Sequence, residues 1–195
     1  MTAGTAAGAA SAYTDIDKGG YTFNIKSGSG ASNATSTTGT ISKTDHYSVV
    51  TYLTGGNAKA QFLSDEESSP ASGSTKVRVF NAATSEASSV DVYLTSSACD
   101  ALAVTDTPFA TAQTGLQATY SQVTSKAWSV CVFPTGDKST LLPDIPSLTL
   151  KSQEIATLIL THTAGGVLLN CAVLDQQGTM TPDTSEISRV RVAAD

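Results

Sequence analysis

Two histidines, His46 and His162, are the residues of this 195-residue chain whose ordinary pKa lies nearest neutrality. A proton relay or a metal site built on either would need a nucleophile, carboxylate or thiol at a recognised spacing. Neither histidine sits in such a Ser-, Asp- or Cys-bearing motif. Asp65, Glu66 and Glu67 form an acidic cluster whose hard oxygen ligands suit Ca²⁺. One cluster supplies too few of the six to eight ligands that calcium takes, and the matching Asp175 is followed by Gln176 and Gln177. A turn-forming Asp accounts for both positions. The expectation is a chain with no catalytic residues, no metal site and no cofactor, and thus not an enzyme.

Cysteine and aromatic residues carry more. Cys131 stands between Val130 and Val132, so strand alternation turns it to the outward face, while Cys99 lies in the loop SSACDAL. Three cysteines allow three pairings, and a loop cysteine with an outward one points to a Cys99–Cys131 bridge. Such a bridge closes a loop of about 32 residues, worth on the order of 3–4 kcal/mol. Cys171 is then the odd thiol. Tyr13, Tyr120 and Trp128 have the ring types that stack on sugars, although a repeated Tyr at a strand corner more often packs on the core.

These residues recur in a pattern. Tyr120 minus Tyr13 and Trp128 minus Tyr21 both give 107. KTDHYSVVTY (43–52) matches KSQEIATLIL (151–160) at offset 108, and TGGNAKAQFLSDE (54–66) matches AGGVLLNCAVLDQ (164–176) at 110. KVRVFNA (76–82) finds a counterpart in RVRVAAD (189–195). The first unit therefore lacks its own version of 76–107. The alternation of KVRVFNA predicts a half-buried strand with Val77 and Val79 on one face and Arg78 on the other. SSVDVYLT alternates likewise. YTDIDKGGYTF and QATYSQV–AWSVCVF read as hairpins, the first turning at Gly19-Gly20.

KVRVFNA, SSVDVYL, FATAQTGLQATYSQV, AWSVCVFPTG and EIATLIL together resemble the bacterial extracellular family known as domain of unknown function 4397. The loop NAATSEASS lacks the prolines usual there. The resemblance implies a secreted or lipid-anchored protein with tandem copies and no defining catalytic activity.

Short strands with turn residues between them and no 3.6-residue period indicate an all-β fold of two tandem immunoglobulin-like or prealbumin-like β-sandwich domains. The N-terminal one lacks its first strands. The expected boundaries are 1–67 for the incomplete sandwich, 68–75 for a linker, 76–178 for the complete sandwich, and 179–195 for a second linker plus the first strand of a further unit. Charged residues make up only 14%, and the net charge of −6 leaves no basic face for nucleic acid. No run reaches the roughly 20 apolar residues of a membrane span. The start MTAGTAAGAASAY has neither the basic nor the apolar region of a signal peptide, which leaves an intracellular protein or one whose upstream part is gone; the truncated repeat favours the second, and with the resemblance the expectation is a protein secreted or held at the cell surface.

A sandwich missing strands invites one from elsewhere. Arg189, Val190, Arg191 and Val192 form the candidate donor strand. If the units follow end to end, this strand emerges far from the gap, so it inserts between molecules and gives head-to-tail filaments. The expected function is a non-catalytic extracellular structural module that self-associates. The alternative is a carbohydrate- or peptide-binding module with a surface glycan or protein ligand.

Overall fold

The computed structural model describes residues 15–26, 33–42, 46–65, 68–85, 87–142, 144–162 and 169–175. Their regular structure is β, apart from one 3-10 turn at Cys99–Ala101. In chain order the strands are β1 Gly19–Lys26, β2 Asn33–Ile41, β3 Tyr47–Thr54, β4 Asn57–Ser64, β5 Ser74–Asn81 and β6 Val90–Thr95. They continue as β7 Ala110–Gln113, β8 Ser121–Thr124, β9 Ala127–Pro134, β10 Asp144–Thr149, β11 Ile155–His162 and β12 Leu169–Asp175. Four sheets result, none closed: β1-β2, β3-β4, β10-β9-β6-β7 and β12-β11-β5-β8.

The two four-stranded sheets share one apolar cluster. β5 contributes Val77 and Val79, and β11 contributes Ala156, Leu158 and Leu160. Val90 and Val92 of β6, Val130 and Val132 of β9, and Ile145 and Leu148 of β10 close it from the other side. The expected alternation is thus present in β5, β6 and β9. At the centre of one sheet β5 and β11 run parallel, with Val77 beside Ala156, Arg78 beside Thr157 and Val79 beside Leu158.

The outer face of β5 and β11 does not meet water, so the expectation of a half-buried β5 needs correction. Arg78, Phe80 and Asn81 are buried along with Val77 and Val79. The cover is the β3–β4 hairpin, whose Val50 and Leu63 pack on Phe80, Ala82 and Ile159. Alternation tells which face a residue takes, and burial of both faces depends on what a distant segment lays on top. Tyr52 meets Phe80 edge-on at 5.3 Å in the same layer.

The other face of β3–β4 carries Tyr47 and Phe62, and β1–β2 packs there. Phe23 stacks on Phe62 at 5.5 Å, and Tyr47 stacks on it at 5.1 Å. Gly39 makes this approach possible, since a Cβ there would fall within 2.5 Å of the Phe62 ring. Along β1 every second residue is half-buried, and Thr22 and Asn24 between them are exposed.

Two expected hairpins are not formed as read. Gly19 and Gly20 open β1, pairing with Ile41 and Thr40, so they do not make a turn. Of YTDIDKGGYTF, Tyr13 and Thr14 lie outside the described residues. β8 and β9 belong to different sheets, β8 pairing with β5 and β9 with β6 and β10. The short link between them crosses the sandwich: Ser125 donates its N–H to the Gly73 carbonyl, and the Lys126 carbonyl accepts from Leu150 N–H. A two-residue polar link between alternating strands reads the same in sequence whether it turns within a sheet or crosses between two.

The repeat also shifts by one residue. At offset 108 Val50 matches Leu158, which faces the main core. In the structure Val50 lies on the outer face with Ile159, and Ser48 is the counterpart of Thr157. A one-residue slip exchanges the two faces of a strand, which is why the packing decides the alignment. The stretch 68–75, read as a linker, includes the first residues of β5, and its Gly73 N–H donates to Ser152 Oγ at 2.9 Å. Leu158→Ala should cost about 2–5 kcal/mol in a urea titration, as a fully buried truncation. Val104→Ala, at a side chain 92% exposed, should stay within about 0.5 kcal/mol.

Candidate functional site

Two regions gather polar or reactive side chains. The first lies where the β3–β4 hairpin meets β5 and β11. Arg78 Nε donates to Thr157 Oγ1 at 2.9 Å, and Arg78 Nη2 lies 3.5 Å from Asp65 Oδ1. Ser48 Oγ donates to Asp65 Oδ2 at 2.6 Å. The guanidinium sits over the Tyr120 ring at 4.4 Å. Asp65 and Arg78 are both buried, so the pair carries a desolvation cost that the hydroxyl partners and the ring offset. The cluster ties the end of the β3–β4 hairpin to β5 and β11.

The second region is the outer face of β9 and β6. Cys131 joins Cys99 in a disulfide with Cα atoms 5.6 Å apart and 32 residues of separation. Cys131 lies on the face away from the main core, as alternation requires, but it is fully buried. Cys99, Tyr93, Phe133 and the adjoining Leu102 form a small second core over it. The loop that follows is clamped by Lys138, whose ammonium donates to the carbonyls of Ala103, Val104 and Asp106 at 2.7–3.0 Å. The Asp106 carboxylate in turn accepts from Ala103 N–H at 2.8 Å. Asp91, on the same face of β6 as Tyr93, accepts from Ala112 N–H at 2.8 Å and Gly136 N–H at 3.0 Å. It ties β7 and the turn after β9 to β6. Nothing in the sequence marked Asp91 or Lys138 beyond their charge; an Asp inside a strand is the only available signal.

The ring platforms expected for ligand stacking are occupied. Tyr120 lies under Arg78 and its hydroxyl is 3.4 Å from Thr157 Oγ1. Trp128 donates Nε1–H to the Thr124 carbonyl, packs against the main core and has the Lys126 ammonium 4.0 Å from its ring centre. Tyr13 lies outside the described residues, as do Glu66, Glu67 and the strand Arg189, Val190, Arg191, Val192. The His46 carbonyl accepts from Asp65 N–H, and His162 ends β11 opposite Leu169. These two histidines are not brought together in one ladder. Cys171 lies opposite Leu160 in the β11–β12 ladder. Among the described residues no three His, Cys, Asp or Glu side chains gather as a metal site would need. A shallow surface depression over Gly20, Thr22, Thr38 and Thr40 holds no carboxylate, imidazole, thiol or amine. Among the described residues no helix is long and apolar enough to cross a membrane.

The fold is all-β and its described side chains build joints and clamps. Residues 1–93 match the model of the family described as domain of unknown function (DUF4397), so the chain is similar to that family over this segment. The match runs from the first hairpins into β6 and does not itself delimit tandem copies. No curated protein matches the chain.

Replacing Cys99 and Cys131 together by Ser should lower unfolding free energy by about 3–4 kcal/mol under oxidising conditions, and the gap should vanish in reductant. Equal stability of the two forms under oxidising conditions would show that the loop holds itself. Burial raises the Tyr52 hydroxyl above its ordinary value of 10.0. The folded form therefore keeps a proton that the unfolded chain loses above that pH, and stability should fall as pH rises beyond it. Tyr52→Phe should flatten that alkaline slope in a denaturation series, and an identical slope would remove Tyr52 as its cause.

Proposed function

We propose that this chain is a non-catalytic structural module of a secreted or cell-surface protein. In this reading it comprises two tandem β-sandwich units of immunoglobulin-like or prealbumin-like type, and a strand copying β5 completes the first. What supports the reading is a contrast between β11 and β3, which match in the repeat. Beside β11 runs β5, and Ala156, Leu158 and Leu160 are fully buried. Beside β3, among the described residues, only β4 pairs, and Tyr47, Val49, Phe62 and Phe23 stay half-buried. An apolar interior left half open is the usual mark of a sheet that takes a further strand.

The disulfide fits an oxidising compartment, which supports the extracellular reading. The engaged rings of Tyr120 and Trp128 weigh against sugar stacking at these two positions. Given to a neighbouring copy, the completing strand would run head to tail and propagate into a filament. Removing residues 187–195 should lower the thermal midpoint and raise binding of a hydrophobic dye, because the face of Tyr47 and Phe62 loses its cover. Unchanged stability and dye binding in the shortened chain would sink the reading.

A further inference from the structure

We propose that residues 99–106 form a latched lid over the Cys99–Cys131 disulfide, a redox-sensitive device in which Lys138 keeps dithiols from the bond until the lid lifts. Its residues lie on β6, β9 and the loops beside them, so it stands whether or not the first unit takes a further strand.

The segment closes its hydrogen bonds on itself. Ala101 N–H donates to the Ala98 carbonyl at 3.1 Å and Leu102 N–H to the Cys99 carbonyl at 3.4 Å, which makes the 3-10 turn. Asp106 N–H donates to the Ala103 carbonyl at 3.1 Å while its carboxylate accepts from Ala103 N–H, which makes the tip. The strands beneath are already engaged with one another, β6 with β7 and β9, and β9 with β6 and β10. A loop of this kind can swing as a unit, because lifting it breaks no ladder hydrogen bond.

Among the described residues two polar or covalent ties hold it to the sheet, one at each end. At the base Cys99 is bonded to Cys131, which stands opposite Tyr93 in the β6–β9 ladder. At the tip the Lys138 ammonium donates to the carbonyls of Ala103, Val104 and Asp106 and lies 4.8 Å from the centre of the Tyr93 ring. Between the ties Leu102 packs against the cluster of Tyr93, Phe133 and the two cysteines. Val104 points away into solvent. The tip is therefore held by the ammonium more than by burial, and a tie of that kind opens locally at a lower cost than unfolding the sheets.

The chemistry is thiol–disulfide exchange. With the lid shut Cys131 is 0% and Cys99 7% exposed, so a thiolate has no approach to either sulfur. With the tip lifted, one thiolate of a dithiol attacks Cys99 Sγ. The S–S bond breaks, a mixed disulfide forms at Cys99, and Cys131 leaves as a thiolate and takes a proton. The second thiol of the reductant loses its proton and displaces Cys99, which leaves as a thiolate and is protonated in turn. Two electrons have passed to the cystine, and the reductant ends as its cyclic disulfide. The base tie is then gone, and loss of the Lys138 tie as well uncovers Tyr93 and Phe133, both buried while the lid is shut.

The test is reduction of the folded full chain by dithiothreitol without denaturant, followed by mass spectrometry as the two alkyl groups gained on trapping with iodoacetamide. Lys138→Met keeps an alkyl chain beside Tyr93 and removes the ammonium. It should speed reduction about tenfold or more, the factor that about 1.4 kcal/mol of lost closure gives. Leu158→Ala weakens the main core away from the lid and should leave the rate near that of the unaltered chain. Equal or slower reduction of Lys138→Met would overturn the latch. Leu158→Ala speeding reduction as much as Lys138→Met would overturn it too, since the bond would then open only through global unfolding. Reduced Lys138→Met should also bind a hydrophobic dye that the oxidised unaltered chain does not, and no gain would overturn the uncovering of Tyr93 and Phe133. Hydrogen exchange of the unaltered, oxidised chain needs no substitution: the Leu102 and Asp106 amides should exchange with little dependence on low urea, while those of β9 and β11 follow global unfolding. Leu102 and Asp106 exchanging with the global slope would overturn the lid.

Discussion

Arg78 holds the molecule's two layers together. It stands in the middle of β5 on the face away from the main core, where an isolated sandwich would meet water. Instead its guanidinium is enclosed by Thr157, Asp65 and the Tyr120 ring. Three separate stretches of chain must be in place for that charge to be satisfied: β11, the end of the hairpin and the segment before β8. A buried ion pair adds little net stability, but removing one partner costs about 3–5 kcal/mol because the other is left uncompensated. The joint therefore selects one seating of the hairpin over alternatives that apolar contact alone would allow. Val50, Leu63, Phe80 and Ile159 supply the attraction, and Arg78 fixes the register of that contact.

The outer layer on the opposite sheet follows another logic. There the face of β6 and β9 is covered by loop, and a loop has few apolar side chains with which to hold itself down. The Cys99–Cys131 bond, the Lys138 clamp and the two bonds accepted by Asp91 replace the missing hydrophobic contact with covalent and charge-assisted ones. This lets Val104 stand in solvent at the tip of a loop whose backbone is nonetheless held.

Much of the strand pattern was legible. Val77, Val79, Val90 and Val92 alternate as their sequence requires, and the Cys99–Cys131 pairing followed from a loop position and a strand face. What escaped was everything set by a second sheet. Cys131 reads as outward and is buried, because alternation assigns a face without saying what lies over it. β8 and β9 read as a hairpin and part company, because Ser125 and Lys126 suit either connection. The repeat aligned Val50 with a core leucine, because small polar strands such as YSVVTY tolerate a one-residue slip that only Ser48 and Asp65, by their partners, forbid. The joint itself could not be read, since a lone Arg in a strand is most often exposed.

The parallel pairing of β5 with β11 also sets the order of events in time. Arg78 and Thr157 are 79 residues apart, and a ladder between such distant strands closes slowly. The β1–β2 and β3–β4 hairpins are local and can form as soon as they are made, yet the surface on which β3–β4 rests does not exist until β11 has been synthesised and docked. During synthesis, then, the early half of the chain waits on the late half, with Val50 and Leu63 exposed meanwhile. The hydroxyl side chains of Thr35, Ser36, Thr37, Thr38 and Thr40 in β2 suit a segment that must remain soluble through that delay.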